Sequence, residues 1–136
     1  MASQLKVDTL TGVTTAGSIV VTGEGNSTTT NLQQGLSKVW ANLNGSSFGL
    51  RDNFNVTSAT DNGTGDYTFT IATDMASGDY SLATNAGDNE VAILGCVFLD
   101  SASAPAAGSV RIRGTASNGS ATDHTYVMIQ ITGDLA

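Results

Sequence analysis

The sequence predicts an all-β protein: an antiparallel β-sandwich or jelly-roll-like domain spanning residues 31–136, preceded by an extended N-terminal arm with short strands over residues 1–30. Three observations carry this prediction. Apolar residues alternate with polar ones in short runs, which is the two-residue period of a half-buried strand. The runs recur at short spacing, bounded by Gly, Asn, Asp or Ser, with no helical stretch between them. And 59 of the 136 residues are Thr, Ser, Asn or Gly while only 12% are charged, so the surface is rich in hydroxyls and amides and the backbone rich in turns.

The strongest local signal is residues 54–71, FNVTSATDNGTGDYTFTI. Phe54, Val56 and Ser58 fall on one face of a first strand, and Tyr67, Phe69 and Ile71 on one face of a second. Asp61-Asn62-Gly63-Thr64-Gly65-Asp66 joins them, its glycines supplying the positive-φ positions of a tight antiparallel connection. The same six residues, acidic at both ends, suggest weak cation binding as an alternative. A helix-flanked calcium loop is longer and closes on a distal Glu, which is absent.

The segments 38–45 (KVWANLNG), 51–56 (RDNFNV), 60–68 (TDNGTGDYT) and 79–82 (DYSL) together resemble the β-domain at the distal ends of many tailed-phage fibre proteins. In that family a Trp-containing strand precedes an Asp-Asn-Gly-Thr-Gly hairpin. The resemblance covers residues 36–84, and the closing strand 126–131 (YVMIQI) is similar to the family's ending. The opening runs 5–10 (LKVDTL) and 18–23 (SIVVTG) resemble short repeated segments of marine-phage virion proteins. The resemblance implies a non-enzymatic, trimeric, surface-projecting virion part. It carries no catalytic motif.

Element by element, the arm comes first. Leu5, Val7, Leu10, Ile19 and Val21 lie in two short strand-like runs too poor in apolar groups to form a core. A lone hairpin of that size is marginal in water, so these residues are the candidate attachment and oligomer contacts, packing on identical arms or on a capsid or tail surface. Residues 23–30 read as a linker. Leu32, Leu36, Val39, Trp40 and Leu43 follow helical spacing, but Val39, Ala41 and Leu43 also alternate and Gly35 weakens a helix. A helical turn at 31–37 followed by a strand at 38–44 reconciles the two. Further strands are expected at 80–84, 91–99, 109–115 and 125–132, with Asn118-Gly119 as a second hairpin turn and Pro105 in an exposed small-residue loop.

Charge and inventory then exclude functions. The net charge is −7, and Lys6, Lys38, Arg51, Arg111 and Arg113 are the whole supply of Lys and Arg, so no basic cluster exists to bind nucleic acid. Residues 1–50 sum to zero and residues 51–136 carry the acidic excess, which suits a docked front and a solvated back; acids collecting in loops would look the same. Cys96 is the single cysteine, so neither an intrachain disulfide nor a thiolate zinc site can form; its apolar neighbours suggest a buried, inert thiol between Ile93 and Phe98. No run approaches membrane-spanning length and no apolar leader is evident, which leads to the expectation of a soluble protein made in the host cytoplasm without membrane insertion.

His124, the single histidine, adjoins Asp123 at a strand start, where successive side chains point to opposite faces and cannot form an orienting pair; a surface position is expected. Asp61, Asp66, Asp74, Asp79, Asp88, Asp100 and Asp123 all fall in expected turns and read as solvating. No catalytic residue, metal ligand or cofactor is assigned. Trp40, Tyr67, Tyr80 and Tyr126 are candidate receptor or interface aromatics: such rings stack on pyranose faces while amides read hydroxyls, although the core has its own use for them. The expected protein is thus a homotrimer on the virion surface, a capsid decoration or short head-fibre protein contacting the major capsid protein or other virion proteins. The alternative is a tail-fibre tip or receptor-binding module whose partner is a host surface glycan.

Overall fold

The computed structural model describes residues 4–12, 19–23, 28–88 and 95–136. The chain separates into two compact units, Met1–Leu36 and Ser37–Ala136. In the first, strands β1 (Val20–Thr22) and β2 (Thr29–Asn31) pair antiparallel, Val20 opposite Asn31. Asn31 then caps the single-turn helix α1 (Leu32–Gly35), its Oδ1 accepting from the backbone N–H groups of Gln33 and Gln34 and so satisfying donors that have no partner inside the helix. The stretch expected to be linker therefore supplies a strand at residues 29–31, and the run 5–10 forms none. Threonines tolerate extension as well as valines do, so polar composition alone misjudged this stretch.

The second unit is a sandwich of two four-stranded antiparallel sheets. Its strands are β3 (Ser37–Asn44), β4 (Gly49–Phe54), β5 (Val56–Gly63), β6 (Asp66–Ile71), β7 (Ser81–Gly87), β8 (Cys96–Leu99), β9 (Ser109–Thr115) and β10 (Tyr126–Thr132). One sheet has the order β4-β3-β10-β7 and the other β5-β6-β9-β8. The fold class is as the alternation predicts. Val39, Ala41, Leu43, Val127, Ile129 and Ile131 face inward from the first sheet, and Tyr67, Phe69, Ile71, Val110 and Ile112 from the second, all buried in one core. Among the described residues no helix is long and apolar enough to cross a membrane.

Three sequence expectations change. The hairpin expected over residues 54–71 forms from Val56 onward as the antiparallel pair β5–β6, but Phe54 ends β4 in the first sheet, and the chain passes into the second at Asn55, whose φ is 59°. A register shift after Val56 puts Val56 opposite Ile71 and Ser58 opposite Thr70, so Val56 is buried and Ser58 exposed, where plain alternation puts them on one face. The turn itself is as expected, with Gly63 at φ 129° and Gly65 at φ 66°. The strand expected at 91–99 is seen as Cys96–Leu99; residues 89–94, and with them Ile93, lie outside the described residues. Within that strand Val97 points inward while Cys96 is exposed, its Sγ 3.2 Å from Thr115 Oγ1. The error was one of phase: a one-residue choice decides which face each side chain takes.

Asn55 makes the sheet change possible. Its Nδ2 donates to Lys38 O at 3.1 Å and Thr73 O at 3.0 Å, and its Oδ1 accepts from Thr73 N at 2.7 Å. Left-handed backbone costs a non-glycine residue roughly 1–2 kcal/mol, which Asn offsets through these bonds. Asn55→Gly should lower the melting temperature modestly because it keeps the dihedral; Asn55→Val, which loses dihedral and bonds together, should cost about 3 kcal/mol. Thermal unfolding of the two variants checks this order. For Cys96, a thiol reagent should label the native protein as readily as the unfolded one; protection of the native thiol would place its side chain inside.

Candidate functional site

Because β3 and β10 are central in their sheet, their outward residues build its exposed face. Trp40 lies opposite Phe54 on one side and Gln130 on the other, and Asn42 opposite Asp52 and Met128. Across β10, Gln130 faces Ala83 and Met128 faces Asn85. Of these residues Trp40, Asn42, Ala83, Asn85, Met128 and Gln130, together with Ala41, Thr84 and Ile129, line a shallow groove of about 340 Å³. Small Ala83 leaves the depression and Trp40, 38% exposed, walls it. Asn42 Oδ1 is buried without a hydrogen-bond partner, the one such side-chain atom among the described residues. Buried polar atoms ordinarily find partners, so this acceptor stands out.

The four candidate aromatics do not converge. Trp40 and Tyr126 occupy the outer face of the same sheet, Tyr126 carrying the Arg51 guanidinium 4.1 Å above its ring. Arg51 also donates to Thr125 O at 2.8 Å, so this cation–π contact is held in place. Tyr67 is fully buried, stacked on Phe48 with centroids 6.3 Å apart, and its hydroxyl donates to Asp123 Oδ1. Burial first, then the Asp123 carboxylate, push its phenol above the ordinary value. Tyr80 is half-buried, its hydroxyl bonded to Ala106 O and Ser109 O, and burial pushes it up to about 12. Leu5, Val7, Leu10 and Val21 are exposed, and Ile19 is partly buried.

Several acids expected to be solvated are internal. Asp66 is 4% exposed and Asp100 5%. On the outer face of the second sheet, Arg111 holds Asp66 in a fork, Nε to Oδ1 at 2.8 Å and the terminal nitrogen to Oδ2 at 2.6 Å, and Arg113 adds a third bond at 3.1 Å. Asp100 lies 3.3 Å from Arg111 Nε. This planar, two-pronged match is what guanidinium and carboxylate geometry favours. The Arg111 bond, outweighing burial and aided by Arg113, holds the Asp66 carboxyl at about 2. Asp61 instead accepts from Gly63 N, so the two ends of the suspected cation loop are engaged separately, and among the described residues no group of three or more acid, His or Cys side chains could hold a metal ion.

His124 is likewise buried, not exposed. Its Nε2 faces Thr115 O, which only accepts, so that nitrogen carries a proton; Nδ1 faces Asp88 Oδ2. Asp88 Oδ1 takes the Thr125 N–H at 2.7 Å. Burial alone would raise the Asp88 carboxyl, and the His124 and Thr125 bonds bring it below the ordinary range. A Cβ on Gly95 would sit 2.0 Å from the imidazole, so the ring is enclosed by backbone and is unavailable to a substrate. The sequence argument that Asp123 cannot orient His124 is right about Asp123, which bonds Gly65 N and Tyr67; the actual partner is far away in sequence and carried no local signal.

Compared with protein-family models, curated proteins and solved structures, the chain finds no match.

A pH prediction follows from Asp66. Its folded value, about 2, lies below the ordinary 3.8, so its stabilising effect is fully present above the ordinary value and is lost as pH falls toward about 2. Asp66→Asn should cost about 2 kcal/mol at neutral pH, leaving two guanidinium groups short of a partner. Melting curves of wild type and variant should converge as pH drops through that window; a constant gap would mean that the ionised pair contributes nothing.

Proposed function

We propose that this is a non-enzymatic structural protein of a tailed-phage particle, a surface-projecting capsid decoration or short head-fibre protein that assembles as a trimer. The observation that carries the reading is the N-terminal unit. Its pairing strands are three residues each, Leu5, Val7, Leu10, Val20 and Val21 stand exposed, and none of its described residues is buried. A hairpin that buries nothing is not stable alone, and identical neighbours or a particle surface are the natural cover. The family resemblance of residues 36–84 and the short-stranded sandwich support the same reading. The buried, fully engaged state of His124 and Asp66 supports structural rather than catalytic roles for these groups.

A second reading, a tail-fibre tip that binds a receptor, draws support from the exposed Trp40 beside a groove with no charged lining residue.

Light scattering of the full chain should give about three subunits per particle. Removing residues 1–36 should preserve the β-type circular dichroism of the sandwich while abolishing co-sedimentation with particles that lack the protein. A monodisperse full-length monomer at micromolar concentration, or undiminished attachment of the truncated chain, overturns the proposal.

A further inference from the structure

We propose that the outer face of the β4-β3-β10-β7 sheet binds a neutral hexopyranose, stacked against Trp40 and hydrogen-bonded by the amides of Asn42, Asn85 and Gln130. The inference goes beyond a structural role and stands on the face alone, whatever surface the protein occupies.

Four features of the groove select this ligand. None of its lining residues is charged, so it offers nothing to a phosphate, a carboxylate or an ammonium group, each of which needs an opposite charge when desolvated. Three side-chain amides lie within it on three consecutive strands, and amides both donate and accept, as adjacent sugar hydroxyls do. Trp40 presents ring surface beside them, matching the alternation of C–H faces and hydroxyl edges on a pyranose. Asn42 Oδ1 lacks a donor in the free protein; turning this amide toward a hydroxyl in the groove would satisfy it, so binding removes a cost already present.

Size favours a sugar over a second copy of the chain. A groove of about 340 Å³ is at the small end of small-molecule sites. A stable protein interface takes about 800 Å² from each partner, with an apolar centre in place of amides. The platform is rigid as well: Asn42, Gln130 and Asn85 sit on strands paired on both sides or against the central strand β10, so little ordering is required on binding.

Trp40 is the single tryptophan, which makes its fluorescence a reporter of this face alone. The full chain is titrated with D-glucose, D-galactose, D-mannose, N-acetyl-D-glucosamine, lactose, maltose and chitobiose up to about 50 mM. At least one should change Trp40 emission saturably, with half-saturation at about 1 mM. Ligand-observed NMR with that sugar should then show binding weakened about tenfold or more by Trp40→Ala and about threefold or more by Gln130→Ala. Both residues point outward, so melting temperatures should stay unchanged. If no sugar alters the emission, or if both folded variants bind like the wild type, the site does not exist. If emission instead shifts with protein concentration in the absence of sugar, a second copy covers the face and the proposal fails.

Discussion

The sandwich depends on a one-residue passage between its sheets. β4 and β5 are separated only by Asn55, and without its left-handed backbone the chain would run on as one strand, carrying Phe54 and Val56 on one face. Asn55 instead leaves Phe54 on the outside of one sheet and delivers Val56 to the core of the assembly. Asn reaches this conformation more readily than β-branched residues because its short amide bonds locally; here it ties Lys38 O of β3 to Thr73 just beyond β6. The bonds that offset the dihedral cost are thus the same ones that hold the two sheets together at that end.

At the opposite end of β3 and β6, polar groups do the joining. Gly45 N donates to His124 O, Ser46 Oγ to Asp123 O, and Asp123 Oδ1 receives both Gly65 N and the Tyr67 hydroxyl. Replacing Gly45 would drive a Cβ to 2.5 Å from the Tyr67 hydroxyl, so the close approach requires glycine. Asp66, Asp88 and Asp123 each face at least two donors, and Asp100 takes the Ala102 N–H beside its ion pair with Arg111, which is the condition for keeping a carboxylate out of water. Register is the means. Asp66 meets Arg113 across β6 and β9 and Arg111 one pleat further along, and a slip of one residue would turn the acid inward and the arginines away from it.

What could be read in the sequence follows from the range of the interactions. Strands 109–115 and 126–132, the helical turn after Asn31 and the Gly63–Gly65 turn were legible because alternation, capping and φ preference are local. The fate of the acids was not. Asp66, Asp88, Asp100 and Asp123 occur in turn-like contexts, yet their partners, Arg111, His124 and Tyr67, are brought to them by sheet order and not by sequence proximity. Arg111 and Arg113 alternating with Val110 and Ile112 was a usable hint: two cations on the outer face of a central strand call for acids opposite. The groove was half legible. Trp40 was recognisable as an aromatic of interest, and the alternation of YVMIQI puts Met128 and Gln130 on the face opposite Val127, Ile129 and Ile131, but the pairing of β10 with β7, which adds Asn85 and Ala83, had no signature.

The engaged acids also change what the net charge of −7 implies. Four carboxylates are spent inside the fold, two of them against Arg111 and Arg113 in a cluster that is locally neutral. The acidity that remains is borne by exposed turns such as Asp61 and Asp79 and by Asp52 at the border of the Trp40 face. Like charge distributed in this way disfavours contact between sandwich domains. The N-terminal unit, residues 1–36, carries a net charge of only −1, Lys6 against Asp8 and Glu24, so in the proposed trimer the association falls to this unit, where exposed valines and leucines meet little opposing field. None of the residues lining the groove at Trp40 is itself charged, so the recognition proposed there rests on ring surface and amides.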